Sequence, residues 1–264
     1  KEPIVDLRAL AVRNFGIGSL LSFITGIGLF CSVFLTPVFL ARVRGFDALE
    51  IGLTMLSVGC FQLIGTAAYP FLAPRIGLRK LLVIGLVLFG ASMYLYVPLT
   101  NQWGWRELLV PQALRGFSQP WCIAPVVTMA LGALPPSRLK SASGLFNLMR
   151  NLGGAIGIAV SSTMLNDRLN LHYERLAEHV THGRPVVVAM LRHVAGGFAA
   201  TGGDALNRAQ AALGILHLRL MREALVLAFS DTFFVIALCI AAGLVSVLFS
   251  RPFGAGGPPS PDAH

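Results

Sequence analysis

Long stretches of this sequence contain no charged residue. Phe15–Ala41, Ile51–Ala73 and Leu81–Trp105 carry no Asp, Glu, Lys or Arg, Leu108–Leu134 and Ser141–Asn166 hold one Arg each, and Thr232–Ser250 holds none. An apolar helix needs about 20 residues to cross the ~30 Å hydrocarbon core of a bilayer. The pattern therefore predicts an all-α integral membrane protein with six transmembrane helices. Spans three (Leu81–Val97) and six (Thr232–Phe249) contain almost no strongly polar group, whereas spans one, two, four and five do. A helix that is apolar all round can face lipid, and a polar stripe must face protein or a water-filled cavity. Four helices are thus expected around a polar interior, with spans three and six outside them.

The stripes follow from helical geometry. In span one, Gly18, Ser22, Thr25, Ser32 and Thr36 fall within a sector of roughly 80°. Gln112, Arg115, Gly116 and Gln119 share a face of span four, and Asn147, Arg150, Asn151, Gly154, Gly157 and Ser161 a face of span five. Small residues on such stripes also serve helix–helix packing, and Gly153 and Gly157 have the GxxxG spacing of a close contact. The candidates for lining a cavity are Ser22, Thr25, Ser32, Gln62, Gln112, Arg115, Gln119, Asn147, Arg150 and Asn151. Gly153, Gly154 and Gly157 are read as packing residues.

Arg115 lies about two turns inside its span, where a charge costs at least ~2.5 kcal/mol. A carboxylate partner, a water-filled cavity or an anionic ligand would offset that cost, and snorkelling to the outer interface is the alternative. Arg150 is closer to the cytoplasmic end of span five and snorkels more easily. Glu50, Glu107 and Asp231 are read at the outer ends of their helices, so no carboxylate lies mid-span and no proton carrier is identified within the chain.

Composition agrees with the pattern. Hydrophobic residues make up 55% of the 264 and charged residues 12%, about half the charged share of a soluble domain. The net charge of +9 does not indicate nucleic-acid binding, because the basic residues sit in short loops and not on one face. Lys1, Arg8 and Arg13 precede span one, Arg75, Arg79 and Lys80 follow span two, and Arg138 and Lys140 follow span four. This alternation is the positive-inside pattern and puts both ends in the cytoplasm. Cys31, Cys60, Cys122 and Cys239 all fall within spans and read as small hydrophobes, with no disulfide or metal-ligand spacing. Residues 1–14 form a cytoplasmic lead-in, 15–165 carry spans one to five, 166–225 an outer loop, 226–250 span six, and 251–264 a Gly/Pro-rich tail expected to be disordered. Within the loop, His172–Val180 and Ala205–Leu225 show helical periodicity about a glycine patch at 196–203. Two or three amphipathic helices on the outer surface or on a partner are expected there, or else a solvated linker. A first residue of Lys and not Met suggests further chain upstream.

Local motifs add a resemblance. The segment Pro70-Phe71-Leu72-Ala73-Pro74-Arg75-Ile76-Gly77-Leu78-Arg79-Lys80, read as the loop between spans two and three, resembles the major-facilitator motif G-x-L-a-D-r-x-G-r-k, with Pro70 and Pro74 in place of Gly and Asp. Arg75, Gly77, Arg79 and Lys80 keep its basic and turn positions. Gln112-Ala113-Leu114-Arg115-Gly116 resembles the fourth-helix motif R-x-x-Q-G with Arg and Gln exchanged. The lead-in Pro3–Leu7, Arg13-Asn14-Phe15, the run Leu134–Leu145, and Asn147, Arg150, Gly153, Gly154 and Gly157 resemble the fourteen-span EmrB/QacA drug:proton antiporters, over their last six spans.

The resemblance implies one half of a major-facilitator fold, in which two six-helix bundles pack around a midplane substrate site. It implies export of hydrophobic or cationic drugs driven by a proton gradient, with no cofactor, in a bacterial inner membrane. The coupling carboxylates would lie in a missing first half, and the outer loop would face a periplasmic adaptor protein. An intramembrane protease reading fails because no span holds a His that could serve Ser143 as a base. A non-transporting six-span scaffold or insertase remains the alternative.

Overall fold

The computed structural model describes residues 13–132, 139–180, 189 and 205–249. The lead-in before Arg13, the segment 133–138, the glycines at 196–203 and the tail from Ser250 lie outside them. The described regular structure is helical: α1 (Arg13–Phe39), continued by a π-helical turn Leu40–Arg44, then α2 (Ala48–Ile76), α3 (Leu78–Tyr94), α4 (Trp105–Leu131), α5 (Leu139–Glu178) and α6 (Ala205–Leu248).

Caps set several of the boundaries. Asp47 accepts a hydrogen bond from the Glu50 N–H at 2.7 Å, and Glu50 Oε2 accepts one from the Asp47 N–H at 3.0 Å. This capping box satisfies donors that the first turn of α2 leaves free. Glu107 does the same for α4, with Oε2 accepting from the Gly104 N–H at 2.8 Å. The backbone N–H groups of Gly104 and of Glu107 itself hold this carboxyl below its usual range, with Arg44 and Arg106 adding to the effect. Both carboxylates are thereby explained as caps. Gly45 (φ 70°) ends the π-helical turn and Gly77 (φ 86°) separates α2 from α3, conformations that glycine adopts without a Cβ penalty.

Three expectations change. The segment from Pro70 is not a loop: α2 runs through Pro70 and Pro74 to Ile76, and Gly77 alone breaks it. Prolines also sit inside α1 and α4. A membrane helix tolerates them because neighbouring helices, hydroxyl side chains and local π adjustments re-satisfy the freed backbone groups. The periodic stretches 172–178 and 205–225 are not separate surface helices but continuations of the spans. α5 has 40 residues and α6 has 44, so at 1.5 Å per residue they are about 60 and 66 Å long, twice the bilayer core. Asp231 accordingly lies within α6 and not at its end.

Phe15–Arg44, Ala48–Ile76 and Gln210–Val247 are each long and apolar enough to cross a membrane by length and composition alone. α3 is shorter, at 17 residues, and polar stripes dilute α4 and α5. α1 packs against α4, α5 and α6, α2 lies on α4, and α3 lies on α4 and α6. The shared core includes Phe39 edge-on to Phe229 at 5.4 Å and Tyr96 stacked on Phe233 at 4.5 Å. The least covered helix is neither α3 nor α6. α2 buries only Thr54, Val58 and Gly65 and exposes Leu49, Leu53, Leu56, Leu63, Ile64 and Phe71, because α4 covers one of its faces and little else reaches it.

Side chains tie the two ends of the bundle. At one end Arg79 Nη2 donates to the Val247 carbonyl at 3.3 Å, joining the start of α3 to the finish of α6. At the other, the Asn101 carbonyl accepts from Arg44 Nη1 at 3.0 Å and Arg222 Nη2 at 3.1 Å, and Asn101 Nδ2 donates to Glu223.

Candidate functional site

The polar residues of the spans divide into an enclosed group and an open one. The α1 stripe is enclosed. Ser22 Oγ donates to the Phe146 carbonyl of α5 at 3.3 Å, and Thr25, Ser32 and Thr36 donate to α1's own carbonyls (Leu21, Leu29 and Ser32) at 2.8, 2.9 and 2.8 Å. Each hydroxyl thus spends its proton on backbone, and Ser22, Thr25 and Ser32 are buried among the helices.

The α4 stripe splits. At about 100° per residue, Arg115 stands about 100° from Gly116 and about 60° from Gln112. Gln112 and Gly116 face α2. The Ser57 hydroxyl donates to Gln112 Oε1 at 2.8 Å, and a Cβ on Gly116 would lie 2.3 Å from the Val58 carbonyl oxygen. Trp121 Nε1 donates to the Gly65 carbonyl at 2.9 Å along the same seam. Gln112 is fully buried, and its Nε2 has no hydrogen-bond partner.

Arg115 is 2% exposed and its Nη1 has no partner. The buried Tyr96 phenol, just past the end of α3, lies in its surroundings and likewise has no hydrogen-bond partner for its hydroxyl, and no described carboxylate pairs with Arg115. The side chain is enclosed, which differs from the snorkelling alternative. Burial of an unpaired charge is strongly unfavourable, several kcal/mol even after relaxation, so this position demands a compensating group.

The open group lies on α2, α4 and α5. Arg150 Nη2 donates to Asn147 Oδ1 at 2.8 Å. Asn147 and Asn151 are exposed, and Gln62, Gln119 and Arg150 are half-buried. The glycines of α5 meet α1: added Cβ atoms would lie 2.1 Å from the Phe23 carbonyl oxygen at Gly153, 2.5 Å from the Phe30 ring at Gly154 and 2.8 Å from Cys31 Sγ at Gly157. Of the basic motif, Arg75 and Lys80 are exposed, Gly77 makes the turn, and Arg79 reaches α6.

Two grooves, of about 400 Å3 between α3 and α6 and about 600 Å3 between α5 and α6, contain none of the predicted cavity residues. The open polar residues are spread over α2, α4 and α5 and line neither groove. Sequence reasoning missed Ser57 and Tyr96, whose counterparts lie 55 and 19 positions away and carry no local signal. It also missed the pairing of His172 with Asp231, although Asp231 stands out as a carboxylate against the apolar run that follows it. No group of His, Cys, Asp and Glu suited to a metal ion is present among the described residues.

Comparison with known proteins places this arrangement. The profile of the Major Facilitator Superfamily matches residues 18–174. The chain is 30% identical over 268 residues to the multidrug export protein EmrB of Escherichia coli (strain K12), an alignment covering 97% of this chain and 49% of that protein. It is 27% identical over 230 residues to the colistin resistance protein EmrB of Acinetobacter baumannii, covering 87% and 44%. It is likewise 27% identical over 184 residues to the fatty acid resistance protein FarB of Neisseria gonorrhoeae, covering 69% and 36%. The chain thus spans about half the length of the first of these relatives, or less.

Proposed function

The chain belongs to the Major Facilitator Superfamily, and from that premise we propose that it is the C-terminal half of a multidrug exporter working by drug:proton antiport. The reading is carried by the near-complete alignment of this chain with half of a protein named as a multidrug exporter. The fold supports it. α2 leaves an apolar flank uncovered, and the open polar residues of α2, α4 and α5 present a wall to which a second bundle adds the other. Alternating access rocks one bundle against another as rigid bodies, and the glycine contacts of α1–α5 and α2–α4 stiffen this half for that motion.

Hydrophobic or cationic drugs bind between the halves, and the proton gradient drives the cycle without a cofactor. The carboxylate that exchanges the proton comes from the N-terminal half: Asp47, Glu50 and Glu107 cap helix starts, and Asp231 is held by Arg168 and His172. The chain performs no covalent chemistry. Of its described histidines, His172 and His217 lie on the extensions of α5 and α6, and His179 lies just past the end of α5. In a bacterial inner membrane the Arg79–Val247 end faces the cytoplasm and the Asn101 end faces outward. Residues 166–225 then project outward, where a periplasmic adaptor protein docks.

The test is drug accumulation. Efflux-deficient bacteria expressing this chain joined to its N-terminal half accumulate less hydrophobic dye than controls, and an uncoupler abolishes the difference. Equal accumulation with both halves present in the membrane refutes the reading and favours a non-transporting scaffold.

A further inference from the structure

At the Asn101 end, α5 and α6 meet through groups that the transport reading leaves unused. His172 Nε2 lies 2.8 Å from Asp231 Oδ2, and Arg168 Nη1, one turn earlier on α5, lies 3.5 Å from the same oxygen. Residues four apart on a helix share a face, so both cations of α5 address one carboxylate of α6. The His172 side chain is 14% exposed and that of Asp231 35%. A second contact lies beyond the first. Tyr173 Oη is 2.8 Å from His217 Nδ1, with the rings edge-on at 5.4 Å.

We propose that the His172–Asp231 pair is a proton-binding latch: a proton taken from solvent by His172 fastens α5 to α6 at this end, and its release loosens them. Histidine is the side chain whose charge ordinarily changes between pH 5 and 8. With His172 neutral, the ionic partner of Asp231 is Arg168, at 3.5 Å and with a side chain 45% exposed, a wet pair of small worth. With His172 protonated, the carboxylate accepts a charge-assisted hydrogen bond, about twice as strong as a neutral one. No covalent bond changes. The second contact keeps a hydrogen bond in either charge state: a neutral His217 Nδ1 accepts from the Tyr173 hydroxyl or donates to it according to tautomer, and a protonated one donates to Tyr173 Oη. The pH response therefore rests on His172–Asp231.

Other groups near this end do not compete. Arg44, Arg222 and Glu223 are engaged at Asn101. Arg42 of the π-helical turn, Asp167, Glu174, Arg175 and Glu178 of α5, and Arg219 of α6 are exposed, and His179, just past α5, lies 2.7 Å from the Arg175 carbonyl oxygen. His172 is thus the histidine that faces the Asp231 carboxylate. In the orientation proposed above, this end faces the acidic compartment of the gradient, so the latch engages when the driving force is present. The latch itself does not depend on transport.

The experiment is hydrogen exchange on the 264-residue chain in lipid nanodiscs at pH 5.5 and 8, corrected for the intrinsic pH dependence of exchange. Local opening sets amide protection, so residues 168–178 are expected to be several-fold better protected at pH 5.5, with α3 unchanged as the internal reference. His172→Gln and Asp231→Asn each remove the difference, and His217→Gln leaves it in place. The latch is overturned if protection of 168–178 does not change with pH, or if His172→Gln keeps the full response while α3 shows the fold intact. Efflux plays no part in this readout. A missing pH response leaves the transport reading standing, and an inactive transporter with an intact response leaves the latch standing.

Discussion

Gly153 of α5 faces the backbone of Phe23 on α1 so closely that a Cβ there would lie 2.1 Å from the Phe23 carbonyl oxygen. The contact is reciprocated: a Cβ on Gly26 of α1 would lie 2.2 Å from the Arg150 carbonyl oxygen. These two glycines set the spacing of α1 and α5, and an overpacked helix contact costs typically ~1–3 kcal/mol. Gly153→Ala is therefore expected to lower the thermal midpoint of the chain in detergent. Gly144→Ala, on the same helix with nothing within 4 Å of its added Cβ, should raise it slightly, since glycine inside a helix costs roughly 0.5–1 kcal/mol relative to alanine. Equal shifts at both positions would show that α5 does not approach α1 through Gly153.

Ser57 and Gln112 form a part-buried side-chain contact across the α2–α4 seam. Ser57→Ala leaves the Gln112 amide without either partner and is expected to destabilise by about 1–3 kcal/mol. Adding Gln112→Leu should recover most of that loss, because an apolar pair needs no hydrogen bond. A double-mutant cycle by thermal unfolding checks this. Simple additivity of the two losses would mean that the residues do not interact.

Most of the helices were legible because charge-free runs of about 20 residues have few other uses. Their ends were less so. Pro70 and Pro74 signal a loop in an aqueous protein, yet α2 continues through both to Ile76 because a helix keeps its backbone groups satisfied in lipid. The candidate site was legible in its residue types and not in its directions. Arg115 and Gln112 sit on one broad polar stripe, but the 60° between them sends Gln112 to Ser57 of α2 and Arg115 towards Tyr96. The His172–Asp231 pair joins residues 59 positions apart, a distance over which sequence periodicity carries nothing.

Arg115 is enclosed with an unpartnered Nη1, which points to a compensating group in the assembled protein. In the complete transporter, Arg115→Ala should reduce drug resistance to the level of cells lacking it, with membrane levels near normal. Arg115→Lys should recover part, since lysine keeps the charge and loses the planar bidentate fork. Arg251→Ala, beyond the end of α6, serves as the silent control. Full resistance with Arg115→Ala, measured as the growth-inhibitory drug concentration, would remove Arg115 from the transport machinery.

The proposed orientation rests on the basic residues Arg75, Arg79 and Lys80 about Gly77 and is checked by labelling. Cysteine at exposed Arg175, on the extension of α5, should react with an impermeant thiol reagent in spheroplasts, whereas cysteine at exposed Lys80 should react only after permeabilisation. The reverse pattern would turn the bundle over and place the His172–Asp231 pair on the cytoplasmic side.

The central claim is that this chain is one wall of a transporter. Purified and reconstituted alone in liposomes, it should show no dye efflux driven by a pH gradient. Joined to its N-terminal half in the same liposomes, it should show efflux that collapses with the gradient. Robust gradient-driven efflux by the isolated chain would contradict the half-transporter account directly.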